Sequence, residues 1–161
     1  MPYTYEYPRP AVTVDIVIFA KGDPLRVLLI ERKHAPFEGS WALPGGFVDE
    51  NEALESAAAR ELREETGVTG VTLTQVGAFG DPGRDPRGHT VSVAFVALVD
   101  ANEVHPVAGD DAAKASWHLF SGLKLPGLPS TVGGLPLAFD HDRVLAAARA
   151  LLDRLRLSSS P

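Results

Sequence analysis

The sequence predicts an α/β fold in which helices cover the faces of a mixed sheet, giving three layers. Three features carry that expectation. Two β-branched runs lie close together near the N-terminus, a stretch of helix formers occupies about residues 52–66, and the C-terminal segment places apolar residues at helical spacing.

The first run, AVTVDIVIFA at 11–20, and the second, at 25–31, are separated by Gly22-Asp23-Pro24 and read as strand, turn and neighbouring strand of one sheet. Residues 34–49 begin as a loop and pass through a short strand into the doublet Gly45-Gly46. No Gly or Pro interrupts Glu50 to Thr66, and Gly67 supplies a helix stop. Strands are expected at 71–79 and 89–100, joined by the polar loop GDPGRDPRG, and a shorter one at 114–119, whereas 120–138 is punctuated by Pro and Gly. From Asp140 to about Leu157, the residues Val144, Leu145, Ala148, Leu151, Leu152 and Leu155 form one helical stripe. The reading is therefore an N-terminal arm (1–10), one domain (11–157) and a frayed tail (158–161).

Composition narrows the chemistry. The 161 residues suit a single domain, and the formal charge of -6 argues against a groove for a nucleic acid polymer, which needs many Lys and Arg contacts. A small phosphorylated ligand remains compatible, because a metal ion can supply the positive charge. The absence of Cys removes disulfides, thiolate zinc sites and Cys nucleophiles, and the five His residues show no HExxH spacing. The N-terminus has no signal-like segment, and the longest apolar stretch, VSVAFVALV, is too short to span a bilayer, so a cytoplasmic protein without membrane contact is expected.

The acidic helix is the most specific feature. Leu54, Ala58 and Leu62 form a ridge while Glu61, Glu64 and Glu65 share the adjoining face. A solvated charged face is the plain alternative, and Arg60 with Glu64 would fit it. Yet Glu61 opposes both Glu64 and Glu65 at helical spacing, each like-charge pair costing about 0.2–0.5 kcal/mol. A bound dication accounts for the cluster better, since Mg²⁺ takes hard oxygen ligands.

The wider stretch 46–68, GFVDENEALESAAARELREETGV, places Gly46, Glu52, Arg60-Glu61-Leu62, Glu64-Glu65 and Gly67-Val68 in the order and spacing of the Nudix box, which it resembles at every defining position. The resemblance extends through SWALPGGFVD before it and covers most of the chain. It implies a Nudix-like α/β/α sandwich, a hydrolase acting on a phosphoric anhydride, and Mg²⁺, or Mn²⁺ in its place, held by Glu61, Glu64, Glu65 and the backbone carbonyl of Gly45. Glu52 and Arg60 resemble the family's orienting pair. The general base is open between a box Glu and a distal-loop acid, Asp110 or Asp111, for which a solvent-exposed turn is the competing role. A homodimer is implied by resemblance, and the arm bearing Tyr3, Tyr5 and Tyr7 either crosses to a partner or packs on its own sheet.

The segment GAFGDPGRDPRGHTVSVAF resembles the branch that includes ADP-ribose pyrophosphatases. Arg84 and Arg87 suit phosphates, Asp85 suits a ribose hydroxyl or the fixing of an Arg, and Arg32 is a further phosphate candidate. Phe37 and Phe47 either stack on a base or pack in the core. The expected substrate is ADP-ribose, giving AMP and ribose 5-phosphate. The alternatives are a nucleoside triphosphate, including 8-oxo-dGTP, and a non-catalytic ADP-ribose sensor; the regulators it resembles carry a winged helix, and with one helix read after LPLAFDHDRVL no such module is expected here.

Overall fold

A computed structural model describes residues 2–109, 111–120, 131–132 and 135–158. The sheet is built on β1 (Ala11–Ala20), which runs parallel to β6 (Thr90–Val99) along its whole length, from Ala11 opposite Thr90 to Ala20 opposite Val99. On its other edge β1 first pairs antiparallel with β4 (Gly45–Phe47) and then, at Phe19 and Ala20, with β2 (Arg26–Arg32). β2 in turn pairs with β3 (Trp41–Ala42) and, over most of its length, with β7 (Ala112–Leu119); β5 (Thr74–Phe79) closes the far side against β6. A separate short ribbon joins β8 (Thr131–Val132) to β9 (Leu135–Pro136).

From Ile16 to Ala20 both faces of β1 are covered, which is why this half is a continuous apolar run, whereas Thr13 and Asp15 alternate with apolar residues in the first half. Val14, Ile16 and Ile18 pack with Ala57, Ala58 and Leu62 of α1 (Leu54–Thr66). Val17 and Phe19, of opposite parity, pack with Val144, Leu145, Ala148 and Leu152 of α2 (His141–Ser158). The expected three-layer α/β arrangement is thus observed. Leu155, placed in the apolar stripe of α2 by its spacing, is exposed instead.

α1 starts two residues later than the expected position 52. Ala53 is its N-cap and makes no side-chain cap, having no acceptor to offer, while the carboxylate of Glu52 before it is turned to the Asp49 N–H (2.9 Å) and to Arg60. Gly67, left-handed with φ 72°, ends the helix and donates its N–H to Arg63 O at 2.8 Å. The loop after β6 then fastens onto this end, with Val107 N donating to Thr66 O (2.8 Å) and Gly109 N to Glu65 O (3.0 Å), and so returns the chain to β7 beside the acids.

The Tyr3 hydroxyl donates to Glu50 (2.6 Å), Tyr5 stacks on Tyr3, and the Arg9 guanidinium sits 4.0 Å from the Tyr5 ring centre. No helix among the described residues is long and apolar enough to cross a membrane.

Candidate active site

The glycine doublet is where the two layers meet. A β-carbon on Gly45 would lie 2.2 Å from the carbonyl oxygen of Val14 and 2.8 Å from the carboxylate of Asp15, whereas one on Gly46 would lie 2.6 Å from the Glu61 carboxylate. Only residues without side chains let β4 run so close to β1 on one side and to the acids of α1 on the other. The Gly45 N–H also donates to Glu65 at 2.9 Å, tying strand to helix directly.

Arg60 organises the acid face. Its guanidinium grips Glu52 through two bonds of 2.7 and 2.9 Å, donates to Phe47 O (3.0 Å), and reaches Glu61 at 2.6 Å and Glu64 at 3.1 Å. The hydrogen bonds from Arg60 and then from the Asp49 N–H hold the Glu52 carboxyl down at about 2. Glu61 moves the other way, because burial outweighs its bond to Arg60. Glu65 is more strongly affected: burial first, with Glu61 and Asp15 nearby, pushes it up to about 8 despite the Gly45 N–H. Glu64 is half-exposed on the outer side of the cluster.

Among the described residues no three His, Asp or Glu side chains close around a single point in metal-holding fashion. Arg60 lies against Glu61 and Glu64, and Glu65 is turned to Gly45. The residue types nevertheless fit a hard divalent cation: three carboxylates on one helix face, one of them a buried acid lacking a full counter-charge.

Glu61 and Glu65 open onto a cavity of about 410 Å³ whose walls also include Arg32, Phe47, Arg87 and Asp111. Sequence-distant candidates are thereby brought together. Asp110 lies outside the described residues. Arg87 is half-exposed, and Asp85 fixes it by accepting from its backbone N–H (2.9 Å) and guanidinium (3.0 and 2.8 Å). These bonds hold the Asp85 carboxyl below the usual range. Arg32 donates Nε to Pro36 O at 2.7 Å. Arg84 is placed differently: its buried guanidinium is gripped by Asp140 at 2.6 and 3.0 Å, so most of its donors face protein, although it lines a smaller cavity of about 40 Å³ behind the first.

That inner cavity exposes residues that sequence reasoning passed over. Asp15, in the middle of β1, is buried and accepts from the Ser92 hydroxyl on β6; His141 Nε2 lies 3.3 Å from its other oxygen. His141 Nδ1 accepts the Leu43 N–H at 3.0 Å, which puts the ring hydrogen on Nε2, facing Asp15. Burial works to raise the Asp15 carboxyl, but His141, Ser92 and Arg84 together hold it below its ordinary value. The signal was present in the sequence, as one acid inside an otherwise apolar strand. Its partners come from β6 and α2 and could not be named without the fold.

A buried acid cluster and two guanidiniums around one cavity are the parts needed to bind and cleave a phosphoric anhydride. The chain belongs to the Nudix family, whose NUDIX domain model matches residues 9–138, and it is a Nudix hydrolase acting on pyrophosphate bonds. Such enzymes generally use divalent metals. Over 139 residues the chain is 41% identical to an ADP-ribose pyrophosphatase of Methanocaldococcus jannaschii, covering 86% of this chain and 73% of that protein. It is 38% identical to the ADPR responsive transcriptional repressor NtrR of Acinetobacter baylyi, where the match covers 92% of this chain but 56% of the repressor. Among solved structures, the NUDIX domain of Shewanella oneidensis NrtR complexed with ADP ribose superposes with a TM-score of 0.79 at 34% identity, covering 91% of this chain and 90% of that domain.

Proposed function

We propose that this protein hydrolyses ADP-ribose to AMP and ribose 5-phosphate, with Mg²⁺, or Mn²⁺ in its place, as the metal. The observation that carries the reading is the single cavity in which Glu61 and Glu65 face Arg32 and Arg87. The likeness to the pyrophosphatase and to the ADP-ribose-bound domain supports the choice of substrate. In the reaction, the oxygen of water bonds to one phosphorus, the bond from that phosphorus to the bridging oxygen breaks, and the second phosphate leaves with the bridging oxygen. Arg32 and Arg87 would neutralise the non-bridging oxygens; Asp85 fixes the Arg87 guanidinium through its Nε and Nη2, which would leave Nη1 for a phosphate. A divalent ion held by Glu61, Glu64, Glu65 and the Gly45 carbonyl would supply charge at the phosphoryl oxygens and make water more acidic. Glu52, acting through Arg60, keeps the acid face in register. We assign the base to the box glutamates, with Asp111, which lines the same cavity, as the competing acid.

The likeness to the repressors favours a second reading, in which the site senses ADP-ribose without consuming it. A panel of ADP-ribose, NADH, diadenosine polyphosphates, GDP-sugars and 8-oxo-dGTP, assayed with Mg²⁺ and with product identification, separates the possibilities. The expected outcome is preferential release of AMP and ribose 5-phosphate from ADP-ribose. Tight ADP-ribose binding without turnover would establish the sensor, and preferred release of pyrophosphate from 8-oxo-dGTP would move the protein to the triphosphate class. Light scattering on the same preparation checks the homodimer that the family resemblance implies.

A further inference from the structure

Phe139 lines the small inner cavity and touches two of the guanidiniums that line the larger one, yet no sequence motif marks it. It precedes Asp140 and the first turn of α2, and its backbone is left-handed (φ 51°), a conformation that bulky side chains seldom adopt. Phe37, one of the other two non-glycine residues of positive φ among those described (φ 61°), packs against it with ring centres 4.8 Å apart. Two such residues in contact indicate that the surroundings hold the rings where they are.

Two guanidiniums are arranged around the Phe139 ring. Arg32 Cζ lies 5.0 Å from its centre and Arg87 Cζ 5.6 Å; Arg87 is also 5.0 Å from the ring of Phe47. The two cations are near enough that, after burial, the charge of Arg87 is the main influence lowering the affinity of Arg32 for its proton. Both line the cavity that holds Glu61 and Glu65. Like charges so placed repel one another, and an anion between them reverses the sign of the interaction. An aromatic face attracts each cation without taking up its N–H donors; Asp85 pairs with Nε and Nη2 of Arg87, so on that guanidinium Nη1 is the donor left for a ligand. Asp85 restrains Arg87 from one direction and Phe139 from another.

We propose that Phe139 is a positioning residue that determines specificity, holding the guanidiniums of Arg32 and Arg87 toward the diphosphate of the substrate. This deepens the reading of the site as one for ADP-ribose and rests on it. Loss of the ring would free both side chains to other rotamers and weaken binding of the diphosphate in ground and transition states alike.

The test compares Phe139→Leu, which keeps apolar bulk, with Phe139→Tyr, which keeps the aromatic face. KM and kcat for ADP-ribose are measured, together with calorimetric binding of inorganic pyrophosphate in metal-free buffer. Phe139→Leu is expected to raise KM and the pyrophosphate Kd by about tenfold, the size of one or two cation–π contacts, with kcat within about twofold. Phe139→Tyr should stay near wild type. In a background of Arg32→Ala and Arg87→Ala, Phe139→Leu should add nothing further. The proposal is overturned if the Leu variant binds pyrophosphate within twofold of wild type, if Tyr fails as badly as Leu, if the loss appears in kcat alone, or if wild type does not bind pyrophosphate. Should the Leu chain not fold, Phe139→Asn, which tolerates the left-handed backbone, takes its place in the comparison. Failure of wild type to hydrolyse ADP-ribose would refute the substrate reading separately, since pyrophosphate binding still reports on Phe139.

Discussion

Glu65, which we propose as a ligand of a divalent cation, is buried beside Glu61 and Asp15. The consequence for stability has a definite sign. The folded carboxyl keeps its proton up to about pH 8, while in the unfolded chain it ionises near 4.5. Across that window the unfolded state binds fewer protons, so metal-free stability falls as pH rises and levels off above about 8. Glu65→Gln should flatten this slope, as measured by urea unfolding in EDTA between pH 5 and pH 9; parallel profiles for the two chains would contradict the burial argument. The same variant, and Glu64→Gln, should lower turnover by at least about 10²-fold. Asp111→Asn should turn over almost normally if a box glutamate is the base, and a loss confined to Asp111→Asn, with removal of the acidic limb of the pH profile, would move the base to Asp111.

At the scale of single elements, β4 is the part least tolerant of change. Its two adjacent glycines face opposite neighbours, and those neighbours differ in how far they can yield. The β-carbon of Gly45→Ala would meet the Val14 carbonyl, fixed in β1, whereas that of Gly46→Ala would meet the end of the Glu61 side chain. Gly45→Ala should therefore lower stability by about 1–3 kcal/mol, as overpacking against backbone does. Gly46→Ala should cost less stability and lose most activity, because Glu61 must swing away from its place. Denaturation midpoints and kcat measured together decide it; equal behaviour of the two variants would show that the doublet is only a flexible bend. α1 is in contrast governed by its ends, with Gly67 closing it and Glu52 drawn out of it toward Arg60.

The whole molecule is held together at the site by contacts between elements remote in sequence. Arg84, in the loop between β5 and β6, locks onto Asp140 at the start of α2, while Arg87, three residues on, remains half-exposed to the cavity. Arg84→Ala should cost about 3–5 kcal/mol, since it strands a partner of a buried pair. Arg87→Ala should leave the melting temperature nearly unchanged and raise KM for ADP-ribose more than it lowers kcat. An Arg84→Ala chain as stable as wild type would mean that the loop is not anchored through this pair. The sequence alone determined the order of the main strands and helices, the box from Gly46 to Val68, and the acids of α1, because these depend on local periodicity and fixed spacing along one helix, but it missed the short β8–β9 ribbon inside the segment 120–138 read as irregular. The tertiary structure alone decided that β1 runs parallel to β6, that Asp15 finds Ser92 and His141, that Arg84 binds Asp140 rather than facing the cavity freely, and that Phe139 gathers two guanidiniums. The physical reason is that each of these depends on which residues meet across the sheet and at the mouth of α2, at separations of up to 126 residues between Asp15 and His141 (141 minus 15), where packing and shared burial select partners that no local pattern encodes.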